Sequence, residues 1–287
     1  MQQELLSPST TERFEGERAA LRKEAHLLNY LRGLDSLLVA FSGGADSAYM
    51  AWAAHTSLGE RALAVTALSA SFSRYDREQA EAFVSAIRLR HEFIETSEFE
   101  NPLYVANGAD RCYHCKDELF ERMATLASAR DFHAIAYAIN ADDMHDFRPG
   151  HRAAHEHRVL SPLLDAGLHK QEIRALSRLA GLPTWDRPAS ACLSSRIPYG
   201  TAVTPELLEK IERAEAALRE LGFRQFRVRA HGELARIELA TEELSRGLEP
   251  SVSQEIAARV KEAGFAFVTL DLEGYRQGSL NTLLKLK

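Results

Sequence analysis

Short apolar runs alternate with segments of helical periodicity along the N-terminal part of the chain. The apolar runs have the length of buried strands and lie at 36–41, 61–68, 91–94 and 132–139. Apolar residues at helical spacing predict helices at 11–34, from Ser47 onward, and at 75–89, 111–129 and 170–179. Strands and helices that alternate in this way predict an α/β fold with a doubly wound parallel sheet, whose ligands bind beyond the carboxyl ends of the strands.

From residue 199 onward the pattern changes to helix, strand, strand, helix and strand, which predicts a smaller α/β C-terminal domain. Thr204 is expected to cap the first helix of this part, with Pro205 at its opening position. A loop-like segment rich in small residues and prolines, 188–200, precedes it and leaves Cys192 accessible. We therefore expect two domains, 1–198 and 199–287.

Charged residues interrupt two of the apolar patterns in the second part. Glu215 lies on the apolar face of the predicted helix, so this carboxylate either pairs with an arginine or belongs to a binding site. In the strand 226–229, the period of two places Arg227 and Arg229 on one face. Two adjacent guanidiniums suit a phosphate or a carboxylate, although arginines on a strand are also typical of a solvated face.

Composition narrows the class of ligand. The chain has 287 residues, 45% of them hydrophobic, which is enough for two cores, and a formal net charge of −6. Its charges are interspersed, with no broad basic surface that would follow a nucleic-acid backbone, so a small-molecule substrate is favoured over RNA or DNA. Neither a signal peptide nor a membrane span is predicted, and we expect a cytoplasmic protein.

The stretch Ser42-Gly43-Gly44-Ala45-Asp46-Ser47 follows the first strand and opens a helix. Glycines let the backbone approach an anion, and serine hydroxyls and the helix N-terminus face the same spot, which predicts a site for a phosphate chain. No Gly-Lys-Ser/Thr follows, so this is not a Walker motif. The stretch resembles the PP-loop of the ATP pyrophosphatases, which implies an adenine nucleotide α-hydrolase-like fold, ATP, release of pyrophosphate and transfer of AMP to an oxygen.

The three cysteines form a CxxC pair at a predicted helix start, Cys112 and Cys115, and a third residue in a loop, Cys192. An odd number of cysteines in a reducing compartment does not indicate a disulfide framework. A redox dithiol, a zinc site that recruits a histidine, and a [4Fe-4S] cluster all remain open. A cluster on three cysteines would leave one iron open to bind hydrosulfide.

Several segments together resemble the LarE family, the ATP-dependent sulfur transferases that make the nickel-pincer nucleotide of lactate racemase. The matching segments extend from about residue 36 to residue 282 and include 112–116, 140–143 with 147–150, 191–196 with 198–200, 227–229 and 271–275. The resemblance implies a small-molecule nucleotide substrate, pyridinium-3,5-biscarboxylic acid mononucleotide, whose carboxylates are adenylated and become thiocarboxylates. It also implies a homo-oligomer.

The resemblance carries site roles onto matching positions of this chain. ATP, with Mg²⁺ to balance its charge, is expected at Ser42, Gly43, Gly44, Asp46, Ser47, Leu68 and Asp143. The substrate is expected at Ser195, Arg196, Glu215, Arg227 and Arg229. The first domain would thus be the PP-loop ATP pyrophosphatase domain, and the second would serve substrate binding and oligomerisation.

The source of the sulfur separates the remaining hypotheses. In family members with a single cysteine at the Cys192 position, that residue gives up its own sulfur and becomes dehydroalanine. Because this chain also carries Cys112 and Cys115, we favour a [4Fe-4S] cluster on the three cysteines as catalytic centre. The alternatives are sacrificial Cys192 without a cluster, a tRNA thiolase, an amide-forming synthetase and a nucleotide sensor without enzymatic activity.

Overall fold

The structure, a computed structural model, describes residues 8–145, 149–188 and 190–284. The chain forms two compact units, each assembled from several segments. Unit 1 comprises Met1–Ala67, Glu78–Ile94 and Leu119–Ala189, and unit 2 comprises Leu68–Arg77, Glu95–Glu118 and Ser190–Lys287. The expected division into domains 1–198 and 199–287 stays a prediction. Phe147 and Arg148, which contribute to the family resemblance, lie outside the described residues.

Eleven α-helices and seven strands occur within these described ranges. The helices are α1 (Pro8–Arg32), α2 (Ala45–Leu58), α3 (Arg74–Ile87), α4 (Pro102–Val105), α5 (Arg111–Arg130), α6 (Gly150–Glu156), α7 (Pro162–Asp165), α8 (Lys170–Leu179), α9 (Pro205–Glu220), α10 (Leu244–Gly247) and α11 (Pro250–Glu262). The strands are β1 (Leu37–Ala40), β2 (Ala62–Leu68), β3 (His91–Glu95), β4 (Ala134–Ala136), β5 (Phe226–His231), β6 (Leu234–Leu239) and β7 (Phe267–Leu270). Among the helices described, none combines the length and the apolar character needed to cross a membrane.

Unit 1 is built on a four-stranded parallel sheet with the order β3-β2-β1-β4. In the central strand β1, Leu38 lies opposite Leu63 of β2 and Ile135 of β4. All four residues of β1 are buried, as expected for a strand covered by helices on both faces of the sheet. The predicted α/β class and parallel sheet are therefore confirmed, whereas the specific adenine nucleotide α-hydrolase-like fold stays a prediction.

Strand β4 is shorter than the apolar run 132–139 predicted. It covers only Ala134–Ala136, and Ala136 also forms an isolated parallel bridge with Leu160. The amide of Tyr137 donates to the carbonyl oxygen of Leu160 (3.1 Å), and the amide of Ile139 donates back to the carbonyl oxygen of Tyr137 (3.2 Å). Ile139 is 3% exposed, whereas Tyr137 and Ala138 are half-buried, so the end of the apolar run is irregular chain rather than strand.

Unit 2 contains a three-stranded sheet with the order β5-β6-β7, in which β5 and β6 are antiparallel and β6 and β7 are parallel. Helix α9 packs its buried face, including Leu208, Ile211 and Leu218, into the core of this unit. The hydroxyl of Thr204 caps α9 by accepting a hydrogen bond from the amide of Leu207 (3.2 Å). The predicted order of helix, strand, strand, helix and strand is confirmed.

Candidate functional site

The loop after β1 closes on itself through Ser47. The amide of Ser42 donates to Ser47 Oγ (3.2 Å), the two serine hydroxyls lie 3.1 Å apart, and Ser47 Oγ donates to the carbonyl oxygen of Gly44 (3.0 Å). Gly43 has a φ of +73°, a left-handed conformation that favours glycine. The first amides of α2 have no partner within a helix at this end, so the loop presents donors suited to a phosphate.

Two predicted carboxylates lie in one neighbourhood of unit 1. Asn140 Nδ2 donates to Asp46 Oδ2 (3.0 Å), and the Asp143 carboxylate pairs with Lys170 Nζ (2.8 Å). Burial raises the pKa of Asp46, and the negative charge of Asp143 raises it further, against the opposing effect of Lys170. Excess negative charge of this kind is relieved by a divalent cation, and carboxylates beside a phosphate site are the usual ligands of Mg²⁺.

Arg187 reaches the same loop from the segment that follows α8. Its Nη1 donates to the carbonyl oxygen of Gly43 at 2.6 Å. A Cβ added to Gly43 would lie 3.4 Å from this nitrogen and 3.3 Å from Ala80 Cβ, so the guanidinium and α3 both approach the loop closely. The sequence analysis missed Arg187, because a single arginine between α8 and Cys192 belongs to no periodic or motif pattern.

Leu68 ends β2 and belongs to unit 2. Its carbonyl oxygen accepts a hydrogen bond from the amide of Thr96 at 3.2 Å. The nucleotide contact expected there stays a prediction, as do the phosphate contacts of the loop after β1.

Cys192 is exposed and lies directly before the 3₁₀ helix Leu193–Arg196 of unit 2. The next residues are anchored: the amide of Leu193 donates to the carbonyl oxygen of Ser71 (2.9 Å), and Ser194 Oγ lies 2.7 Å from the hydroxyl of Tyr104. Leu193, Ser194 and Tyr104 are each at most 3% exposed. The thiol of Cys192 is therefore accessible, while the residues that follow it are fixed by buried contacts.

Arg196 and Glu215 form a buried two-bond ion pair beneath this loop. Arg196 Nε and Nη2 donate to the two carboxylate oxygens of Glu215 at 2.8 and 2.9 Å, and both side chains are about 4–5% exposed. Glu215 Oε1 also accepts from the amide of Val228 (3.1 Å). Arg196 Nη1 donates to the carbonyl oxygens of Ala191 (2.6 Å) and Cys192 (3.1 Å). The carboxylate that interrupts the apolar face of α9 therefore pairs with an arginine, and its expected role in substrate binding stays a prediction.

Two further buried arginines hold carbonyl oxygens of residues that follow Cys192 in the chain. Arg111 Nη1 donates to the carbonyl oxygen of Ser194 (2.7 Å), and Arg229 Nη1 donates to that of Ser195 (2.9 Å). Arg229 is in turn held by Glu238 through two hydrogen bonds of 2.8 and 3.0 Å. Together with Arg196, these arginines hold the backbone carbonyl oxygens of residues 191, 192, 194 and 195. We call Arg111, Arg196 and Arg229 the arginine clamp.

Cys112 and Cys115 lie in the first turn of α5, and the thiol of Cys112 is 3.7 Å from Arg111 Nη2. Burial raises the pKa of Cys115 to about 12, and the negative charges of Cys192, Glu98 and Cys112 add to this shift while Lys116 opposes it. Because Arg111 contacts both the thiol of Cys112 and the carbonyl oxygen of Ser194, it joins the CxxC pair to the loop of Cys192 in one neighbourhood of unit 2.

No three His, Cys, Asp or Glu side chains within the described ranges converge closely enough to hold a single metal ion. A [4Fe-4S] cluster binds its cysteines through different irons, so their sulfurs lie farther apart than the ligands of one ion. Three thiols in one neighbourhood, one of them accessible, fit such a cluster by donor chemistry. The cluster stays a prediction.

Arg227 differs in its surroundings from the arginine clamp. Its guanidinium lies over the ring of Tyr275 (5.0 Å to the centroid), and its Nη1 donates to the carbonyl oxygen of Phe226 (2.6 Å). Burial lowers the pKa of Arg227, and the positive charges of Arg196 and Arg229 lower it further against the effect of Glu215. An anion bound here would relieve this repulsion, which fits the substrate phosphate expected at this position.

The structure brings the predicted residues together in two groups, one in each unit. The unit 1 group comprises Ser42, Gly43, Gly44, Asp46, Ser47 and Asp143, and the unit 2 group comprises Cys112, Cys115, Cys192, Ser195, Arg196, Glu215, Arg227 and Arg229. In the second group, Ser195 Oγ accepts from Arg196 Nη1 (3.0 Å), while Arg196 and Arg229 each hold a buried carboxylate. The clamp contact of Arg111 and the packing role of Tyr104 were not predicted.

Fold and site define an α/β protein with a glycine-containing loop after the first strand of unit 1 and, in unit 2, an exposed cysteine on a loop held by buried arginines. Comparison with known proteins then identifies the family within this class of α/β proteins. The chain is 43% identical over 262 residues to an uncharacterized protein of Synechocystis sp., covering 91% of this chain and 98% of that protein. It is 31% identical over 172 residues to an uncharacterized protein of Methanocaldococcus jannaschii, covering 60% of this chain and 66% of that protein. No family model matches.

The chain is also 32% identical over 263 residues to the pyridinium-3,5-bisthiocarboxylic acid mononucleotide synthase of Lactiplantibacillus plantarum, covering 91% of this chain and 95% of that protein. At this identity and coverage, the chain belongs to the family of that synthase, the LarE family.

Proposed function

We propose that the protein is an ATP-dependent, AMP-forming sulfurtransferase that converts the carboxylates of pyridinium-3,5-biscarboxylic acid mononucleotide to thiocarboxylates. The observation that carries the proposal is the accessible Cys192, held by buried arginines, in a chain 32% identical over 263 residues to a synthase of the bisthiocarboxylic product. A cytoplasmic location and a homo-oligomer are parts of the same proposal.

In the activation step, a carboxylate oxygen of the substrate attacks the α-phosphorus of ATP. The new bond gives an acyl-adenylate, and the bond to the β-phosphate oxygen breaks to release pyrophosphate. The loop Ser42–Ser47 supports this role by its free helix amides and glycine backbone, which hold the departing phosphates. Asp46 and Asp143 would hold Mg²⁺ through their carboxylates.

The substrate carries its own phosphate, for which Arg227 is the best supported ligand. Burial lowers the pKa of Arg227 and the positive charges of Arg196 and Arg229 lower it further, so a bound phosphate would counter the repulsion among these guanidiniums. Ser195, Arg196 and Arg229 fix the loop that carries Cys192, and the two guanidiniums add attraction for the substrate phosphate.

In the sulfur step, AMP is the leaving group of the acyl-adenylate. A [4Fe-4S] cluster held by Cys112, Cys115 and Cys192 would supply, when bound, an open iron that can carry hydrosulfide. The chain itself contributes the arginine clamp, which fixes Cys192 and offsets negative charge on the thiolates. Hydrosulfide, once delivered, forms the carbon–sulfur bond as the acyl–oxygen bond to AMP breaks.

A second candidate is favoured by the exposure of Cys192. Its thiolate attacks the acyl-adenylate, releases AMP and forms a thioester. Loss of the Cα proton then breaks the Cβ–sulfur bond, which leaves a thiocarboxylate on the substrate and dehydroalanine at position 192. Each chain would act once.

The deciding experiment measures iron and acid-labile sulfide in protein purified without oxygen. We expect about four irons per chain in the wild type, loss of iron in Cys112→Ala, and multiple turnovers with added sulfide. Thr125→Ala is the matched control, because Thr125 is an exposed residue of the same helix α5, and this variant keeps its iron. Iron-free wild type that converts Cys192 to dehydroalanine, seen as a loss of 34 Da by mass spectrometry (roughly one H₂S), would overturn the cluster.

The same preparation tests the other reaction classes. Release of AMP and pyrophosphate that requires the dicarboxylate supports the proposal and excludes a nucleotide sensor. Activity of Cys192→Ala with ammonia would indicate an amide-forming synthetase, and activity on tRNA would indicate a thiolase.

A further inference from the structure

We propose that Arg187 is a catalytic residue that binds the β- and γ-phosphates of ATP and the pyrophosphate that leaves. The inference rests on the proposed use of ATP at the loop Ser42–Ser47. It adds a residue that neither the motif nor the family resemblance assigned.

The position of Arg187 carries the argument. Its Nη1 donates to the carbonyl oxygen of Gly43, the residue of the loop with left-handed backbone, at 2.6 Å. The guanidinium comes within 3.4 Å of where a Gly43 Cβ would be, so it lies directly against the glycine backbone that is expected to meet the phosphates. A guanidinium carries five N–H donors in a fixed fork, so it can hold a carbonyl oxygen and an anion together.

The segment that carries Arg187 is fixed to α8. Arg174 Nη2 donates to the carbonyl oxygen of Arg187 (2.6 Å), and Arg174 Nη1 donates to that of Trp185 (3.0 Å). The amide of Arg187 donates to the carbonyl oxygen of Thr184 (3.1 Å). The backbone is thus held in a tight turn, and the guanidinium is positioned before a ligand binds, which is the arrangement that favours transition-state charge stabilisation.

Electrostatics explains why a cation is needed at this loop. The motif Ser42–Ser47 contains no lysine or arginine, and Lys170 is already paired with Asp143 (2.8 Å), so the Mg²⁺ proposed at Asp46 and Asp143 leaves part of the charge of a triphosphate to other groups. Helix amides offset only part of the charge of a triphosphate. The departing pyrophosphate gains negative charge as its bond to the α-phosphorus breaks. A guanidinium that donates hydrogen bonds to it therefore accelerates formation of the acyl-adenylate.

The test measures dissociation constants for pyrophosphate and AMP, each with Mg²⁺, by calorimetry on the full chain. We expect Arg187→Gln to weaken pyrophosphate binding about 10- to 100-fold, as for loss of a charge-assisted hydrogen bond, with AMP affinity changed less than about twofold. Arg187→Lys keeps the charge without the fork, and we expect an intermediate loss. Arg178→Gln is the matched control, because Arg178 is an exposed cation of α8 near Trp185.

The outcomes separate this inference from the proposed function. Folded Arg187→Gln, verified by circular dichroism, that binds pyrophosphate as tightly as wild type overturns the inference and leaves ATP use intact. An equal loss in Arg178→Gln also overturns it, because the effect would be general electrostatics. Wild type that binds pyrophosphate through Arg187 but transfers no sulfur supports the inference and overturns the function. Wild type that binds no pyrophosphate overturns both.

Discussion

The Arg196–Glu215 pair gives the sharpest test of how the Cys192 loop is held. Glu215→Gln keeps the shape of the side chain but leaves the Arg196 guanidinium, about 4% exposed, without its counter-charge. Removing one partner of a buried ion pair costs about 3–5 kcal/mol, which corresponds to a fall in Tm of roughly 6–20 °C for a unit of this size. The same change frees Arg196 from the geometry in which it holds the carbonyl oxygens of Ala191 and Cys192.

Thermal unfolding followed by circular dichroism measures the first effect, and the rate of sulfur transfer measures the second. Glu220→Gln is the matched control, since it makes the same substitution on the same helix in an exposed pair with Arg259. We expect Glu220→Gln to leave Tm and rate unchanged, and Glu215→Gln to lower both while the affinity for pyrophosphate is kept. Equal Tm values for the two variants would refute the reasoning.

The pH dependence of the same pair provides an independent check. Burial would raise the pKa of Glu215, but Arg196 and Arg227 lower it below its ordinary value. A carboxylate with a lowered folded pKa contributes stability above its unfolded pKa, about 4.3, and this stability is lost as the pH falls through the folded value. Wild type should therefore lose stability more steeply than Glu215→Gln below about pH 4. Parallel curves would contradict the assignment.

Three further predictions concern single side chains. Burial and the charge of Asp143 raise the pKa of Asp46, so its ionised form destabilises the fold at pH values above the ordinary pKa range of Asp. Asp46→Asn should therefore raise Tm at about pH 7–8 while weakening MgATP binding. An unchanged Tm would contradict this prediction. Tyr104→Phe leaves the buried Ser194 hydroxyl without its 2.7 Å partner and should lower the free energy of unfolding in urea by about 1–3 kcal/mol. In a Ser194→Ala background, the same substitution should cost much less, because the hydroxyl that loses its partner is no longer there. Thr204→Ala removes the cap of α9 and should cost about 1 kcal/mol without changing pyrophosphate affinity; a changed affinity argues against the separation of the two roles.

Local signals were sufficient for most elements and for the motif-borne residues. The helix predicted at 170–179 is α8, and the CxxC pair lies at the start of α5 as expected. The strand predicted at 132–139 was too long, because apolar character alone cannot distinguish a strand from irregular chain that is partly buried. Glu215 was identified as anomalous from periodicity, but its partner Arg196 could not be chosen from the sequence.

By itself, the sequence determined the α/β class, the glycine loop after β1 and the three cysteines, because these depend on periodicity, glycine conformation and residue identity within a few positions. Tertiary structure alone decided that Arg187 reaches Gly43, 144 positions away, and that Arg111 and Arg196 converge on the carbonyl oxygens around Cys192. It also decided that each compact unit draws on separated segments of the chain. Such contacts join a side chain to a distant backbone group, and no local period or propensity encodes which groups the packed chain brings within hydrogen-bond distance.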